Sequence, residues 1–208
     1  MRASAGSPGS TAIPALAEEV NIYSHRQPEL IQPLLDAFTA ETGIPVYKWD
    51  VGDYDACAAG IRQIEEDLGP IAVLVNNAGV GGPLAFAEDD TVENWQRQFE
   101  INLRSVMLGC KHAMAPLRAS GAGSIVNISS IAGLAAAPGM GAYNATKAAV
   151  WMYTKTLALE AAKAEWNVRC NSVHPVFIKT PILDPFIAMA GGDEDKAHER
   201  LSRGIPLK

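Results

Sequence analysis

The chain has 208 residues, a formal net charge of −6, and is 48% hydrophobic and 19% charged, a composition suited to one sizeable folded core and not to disorder. No clustered Lys/Arg face offers itself to phosphates, so nucleic acid and anionic membrane surfaces are not expected partners, and no apolar run reaches the roughly eighteen residues of a membrane span. The three cysteines, Cys57, Cys110 and Cys170, are too widely spaced for a zinc site or a disulfide framework and read as buried thiols in a reducing cytoplasm.

Residues 1–17 are rich in Ser, Gly, Ala and Pro and read as a loose segment ahead of one domain spanning 18–208. Pro14-Ala15-Leu16-Ala17 has the look of a secretory-signal tail, but no apolar stretch precedes it and export is not expected. Further on, strands are expected at 20–24, 44–47, 71–75, 124–128 and 168–173, several of them continuous apolar runs of the buried parallel type. Helices are expected at 29–42, 55–68, 91–119 and 143–164. In the third, Trp95, Phe99, Val106, Cys110, Met114 and Leu117 recur at helical steps, predicting one buried face. The alternation implies an α/β chain: a Rossmann-like, doubly wound parallel sheet in three α/β/α layers, with right-handed crossovers. Sheets of this kind bind ligands at the C-terminal ends of their strands.

Three features occupy such positions in order. Asn76-Asn77-Ala78-Gly79 follows the strand at 71–75, Ser129-Ser130 closes the strand at 124–128, and Tyr143-Asn144-Ala145-Thr146-Lys147 opens a long helix. Tyr and Lys four apart share one helical face. That placement lets an ammonium lower the tyrosine's pKa from about 10 toward the working range of a general acid/base.

From about residue 47 onward this pattern resembles the short-chain dehydrogenase/reductase family. The resemblance implies roles for matching positions. Tyr143 would donate the proton to a substrate carbonyl, and Lys147 would hold the nicotinamide ribose and tune Tyr143. Ser130 would hydrogen-bond the reacting oxygen, and Asn102 would anchor a water-linked proton path to the lysine. Asp50 and Val51 would contact the adenine ring, Asn76, Ala78 and Gly79 the adenosine ribose side, and Pro175, Ile178 and Thr180 the nicotinamide carboxamide. The implied cofactor is NAD or NADP. The implied partners are a small, apolar alcohol or ketone, bordered by 131–140 and 181–190, and further copies of the chain in a homodimer or homotetramer built on helices 91–119 and 143–164. His174 reads as a structural neighbour of Pro175, and His112 and His198 as solvated helix residues.

The chain also departs from that family. Its first 50 residues hold only Gly6, Gly9 and Gly43, with no glycine-rich turn to bring a pyrophosphate against helix N–H groups. His25-Arg26-Gln27-Pro28 stands there instead. The opening from Val20 through Tyr23 and His25 to Ile44 resembles the mature start of periplasmic ferric-iron-binding proteins, although a metal site on this segment alone is not expected. Val176 replaces a usual glycine, and the sequence ends at Lys208, ahead of the family's last strand and helix. Two further readings stay open beside the oxidoreductase: a non-catalytic subunit acting in assembly, and a metal- or anion-binding protein built on the opening.

Overall fold

The computed structural model describes residues 28–178 and 180–203. Helix α1 (Pro28–Thr42) is followed by α2 (Tyr54–Leu68), whose first turn is capped by Asp53 accepting the Ala56 N–H. Strand β1 (Val73–Asn76) leads to α3 (Val92–Phe99), a π-helical turn (Glu100–Arg104) and α4 (Ser105–Ala119). Then come β2 (Gly123–Ile128), α5 (Gly141–Lys163), β3 (Val168–Val173), α6 (Asp184–Met189) and α7 (Glu194–Ser202).

The three strands form one parallel sheet in the order β1-β2-β3, with Asn76 beside Asn127 and Gly123 beside Val168. Alternation assigns the faces, because successive side chains of a strand point to opposite sides. Leu74, Asn76, Ile125, Asn127, Val168 and Cys170 are buried on one face. There they meet Ile61 and Ile64 of α2, Leu108, Cys110 and Leu117 of α4, and Val150 and Leu157 of α5 in one core. A polar seam crosses this core: Asn76 Nδ2 donates to Asn127 Oδ1 (2.8 Å), and Asn127 Nδ2 donates to Thr154 Oγ1 (3.0 Å). Helix α4 reaches the seam at Gly109, where a Cβ would lie 2.4 Å from Asn76 Oδ1; any side chain there would push the helix off the strand. On the opposite face, Val73, Val75 and Val173 are 55, 39 and 47% exposed. The Rossmann-like α/β fold is therefore present, and of its layers the described residues supply the sheet and the helices of one face.

Two expectations need correction. Residues 44–47, expected as a strand, form none, and the strand expected at 20–24 lies outside the described residues. Tyr47 instead reaches α2, its hydroxyl donating to Asp67 at 2.7 Å. The helix expected at 91–119 is broken into α3 and α4 by the π turn at Glu100–Arg104. One extra residue in a turn rotates the helix before it by about 100° relative to the helix after it. Hence Trp95 and Phe99, expected in the buried stripe with Val106 and Cys110, are each 38% exposed and stack on each other at 5.9 Å, while Gln98 and Asn102 turn inward. The three cysteines are free and buried, with Cys110 pushed up to about 12 and Cys170 to about 11 by burial, so both stay protonated.

Candidate active site

The C-terminal ends of β1 and β2 and the start of α5 open onto one cleft of about 720 Å³. Ser130, Tyr143 and Lys147 all line it, with Gly79, Pro175 and Thr180. The bond from Ser129 N to Val173 O (2.8 Å) and that from Ile131 N to Pro175 O (3.0 Å) tie the ends of β2 and β3 together, which brings Ser130 beside Pro175.

Lys147 and Ser130 are each anchored from behind. Lys147 is 4% exposed and donates from Nζ to the Ile128 carbonyl at 3.0 Å, leaving two of its three N–H groups for the cleft. Burial of the ammonium lowers its pKa to about 8. The Lys147 backbone is held as well, its carbonyl accepting from Ser129 Oγ at 2.7 Å. Ser130 Oγ accepts the Ala132 N–H (3.1 Å) and lies within reach of Tyr143. The Ser130 carbonyl can only accept, so His174 Nδ1 carries a proton and donates to it at 3.0 Å, while His174 Nε2 pairs with Ser172 Oγ at 2.9 Å. His174 thus braces the serine.

Tyr143 departs from expectation in one respect. Lys147 Nζ lies 5.7 Å from the centre of its ring, over the ring face. Yet burial pushes the tyrosine's pKa upward, opposed by the Ser130 hydrogen bond. Desolvation of the phenolate outweighs the help expected from an ammonium that is itself buried.

Asn102, fully buried at 0%, lies beneath the cleft in the π turn. Its side chain pairs with a backbone as a strand would: Oδ1 accepts Val80 N–H at 2.7 Å and Nδ2 donates to Val80 O at 2.9 Å. Nδ2 also donates to Thr146 Oγ1 (3.2 Å), which donates to the Tyr143 carbonyl (2.9 Å). One asparagine therefore ties the loop after β1 to the helix carrying Tyr143 and Lys147. At Gly79 a Cβ would stand 3.3 Å from both Asn102 Oδ1 and Lys147 Nζ, a tight contact, so the loop passes close to the ammonium.

The residues expected around the adenosine are less gathered. Of these, Ala78 and Gly79 line the main cleft, while Val51, Asn76 and Ala78 border a small neighbouring cavity with Cys57; Ile178 and Thr180, expected with Pro175 at the carboxamide, line the main cleft. Asp50 is exposed and folds back on its own loop, accepting the Gly52 N–H at 2.8 Å. The position expected for the phosphate turn, with Tyr23 and His25, lies outside the described residues.

Sequence reasoning missed the loop from Gly81 to Pro83, Arg97 at the cleft mouth, and Gln98. It also placed 131–140 along the substrate; of that stretch, Gly139 and Met140 border a recess behind Tyr143. The two helix histidines are not solvated as expected. Each has a buried Nε2, and His112 packs edge-on against Tyr54 at 4.7 Å with its pKa lowered, first by burial. Among the described residues, no group of three His, Cys, Asp or Glu is placed to hold a metal, and no helix is long and apolar enough to cross a membrane.

A parallel α/β sheet with a serine, a tyrosine and a lysine converging on one cleft defines a class of nucleotide-dependent oxidoreductase. The chain matches the short chain dehydrogenase family model over residues 9–190 and belongs to that family. That match includes residues 20–44, where a resemblance to ferric-iron-binding proteins was expected; the comparisons do not show that resemblance. Acetoacetyl-CoA reductase of Paracoccus denitrificans is 45% identical over 171 residues, covering 82% of this chain and 67% of the relative. NADP-dependent (R)-specific alcohol dehydrogenase of Lentilactobacillus kefiri is 42% identical over 121 residues, 58% of this chain and 48% of the relative. The chain thus spans between about half and two thirds of the length of these curated relatives. Among solved structures, ElxO with NADP bound superposes with a TM-score of 0.72 at 30% identity, covering 85% of this chain and 71% of that one.

Proposed function

We propose that this chain is an NADP(H)-dependent oxidoreductase that interconverts a secondary alcohol and a ketone, with Tyr143 as acid/base, Ser130 as the hydrogen-bond donor to the reacting oxygen, and Lys147 and Asn102 as the supporting pair. The observation that carries it is the convergence of Ser130, Tyr143 and Lys147 on one cleft. The choice of NADP(H) follows the names of a solved neighbour and a relative.

The donor set fits a nicotinamide nucleotide. Lys147 has two N–H groups free for ribose hydroxyls, Pro175, Ile178 and Thr180 line the carboxamide side, and Gly79 leaves the floor beside the ammonium uncluttered. When bound, the cofactor supplies or accepts hydride. This chain's residues do the rest. Ser130 Oγ holds the carbonyl oxygen where negative charge grows, and Tyr143 delivers its proton to that oxygen. With its pKa raised, Tyr143 stays protonated across the physiological range and is poised as an acid, favouring reduction of the ketone. Apolar Val176, Ile182 and Leu183 line the cleft and suit an apolar substrate.

A thermal-shift titration with NADPH and NADH, on wild type and Lys147→Ala, tests the reading. A saturable rise with NADPH, weakened in the variant, supports it by mass action; reduction of acetoacetyl-CoA and cyclopentanone then separates acyl-ketone from cyclic-ketone use. No shift with either cofactor at millimolar concentration would leave the assembly reading. That reading draws on the exposed Trp95, Phe99, Met107, Met152 and Leu159 along α3, α4 and α5, which also suit a homodimer or homotetramer, to be checked by sedimentation.

A further inference from the structure

Behind Tyr143 the cleft continues into a recess of about 30 Å³, room for one small polar group or a water. Gly81, Gly82, Pro83, Tyr143, Ile182 and Pro185 border both spaces. One wall is a row of polar side chains: Asp90, Asn94 and Gln98. The row is directional. The Asp90 carboxylate accepts, and its Oδ1 takes the Thr91 backbone N–H at 3.0 Å and Asn94 Nδ2 at 2.6 Å. Asn94 must therefore turn its own oxygen toward Gln98, whose Nε2 donates to it at 3.0 Å. Gln98 Oε1 is left over. It is a buried acceptor with no partner, on a residue only 2% exposed. Gly82 keeps the arrangement possible, since a Cβ there would lie 2.3 Å from Gln98 Nε2 and 2.4 Å from Asn94 Oδ1.

An unpaired buried acceptor is costly, and a site built this way discriminates strongly between a ligand that completes the bond and one that does not. We propose that Gln98 Oε1 reads a hydrogen-bond donor on the substrate, an amide N–H or a hydroxyl remote from the reacting carbonyl. The inference rests on the oxidoreductase reading and adds the substrate class: ketones or alcohols that carry a second, donating polar group. It also explains why one wall of an otherwise apolar recess is polar.

Two pairs of ketones, each differing in one donor, test it. N-methylacetoacetamide is compared with methyl acetoacetate, and 4-hydroxybutan-2-one with butan-2-one, as kcat/KM with NADPH and with NADH. The readout is the ratio within a pair, compared between wild type and the variants Gln98→Leu and Gln98→Met, with melting curves confirming that the variants fold. The expected result is a fall in at least one ratio by about tenfold or more in both folded variants. Ratios that do not move, with only the melting temperature changed, mean that the recess serves a buried water and overturn the proposal. Absence of turnover of all four ketones by wild type with either cofactor would instead overturn the oxidoreductase reading and this inference with it. Were neither variant to fold, Asn94→Leu, which releases the Gln98 amide from its fixed orientation, is expected to lower the same ratio, and an unchanged ratio there is equally fatal.

Discussion

The two ends of the proposed cofactor site are built differently. At the proposed reacting end three residues are tied to their neighbours: Lys147 to Ile128 O, Ser130 through its carbonyl to His174, and Asn102 to Val80 and Thr146. At the proposed adenosine end Asp50 is exposed and spends its carboxylate on Gly52, and Val51 borders a separate small cavity. The contrast lies in where geometry has to be fixed in advance. Proton delivery needs donors held to within fractions of an ångström, whereas an adenine ring contributes affinity spread over many contacts.

If that contrast is right, substitutions at the two ends separate by orders of magnitude. Tyr143→Phe keeps the ring and removes the acid, and kcat in a stopped-flow reduction assay should fall by about 10³-fold. Asn102→Leu strands the Val80 N–H and C=O in a buried site; denaturant unfolding should show a loss of roughly 3 kcal/mol, and a loss under 1 kcal/mol would mean that the loop after β1 does not depend on it.

Lys147→Met should act in the opposite direction on stability. The folded lysine has a pKa of about 8 against a reference of 10.5, so at neutral pH the fold bears a cost of roughly 3 kcal/mol for keeping it charged, at about 1.4 kcal/mol per unit. Losing the bond to Ile128 O offsets about 1 kcal/mol of the relief. The variant should therefore be inactive yet more stable than wild type by about 2 kcal/mol at pH 7. The sign follows from linkage: between pH 8 and 10.5 the unfolded chain binds the proton that the folded chain has released, so wild-type stability rises with pH and the variant's advantage shrinks. In the same assay series, kcat/KM of wild type for reduction should decline as pH rises through about 8, when the ammonium is lost.

At the adenosine end, Asp50→Ala should change NADPH affinity less than about tenfold and stability by under about 1 kcal/mol, the worth of one exposed hydrogen bond. A hundredfold loss by calorimetry would erase the contrast between the ends.

Much of this was legible in the sequence because it is local. The apolar runs ending in Val75 and Ile128 and the Tyr-x-x-x-Lys spacing each depend on only a few neighbouring residues, so β1, β2, β3 and α5 lie within two residues of expectation. The four-residue spacing of Asp90, Asn94, Gln98 and Asn102 was there to be read as well, but an apolar periodicity drawn through Trp95 and Phe99 concealed it.

Periodicity and short spacing were enough for the strand–helix alternation, the family pattern and the placing of Ser130, Tyr143 and Lys147 at strand and helix ends that meet in one cleft. The approach of distant segments decided the π turn that rotates Gln98 and Asn102 inward, the upward shift of Tyr143, and the acceptor left without a partner on Gln98. Those depend on how closely β1's loop, α3 and α5 approach one another, and burial and hydrogen-bond direction are set by that approach and not by residues adjacent in the chain.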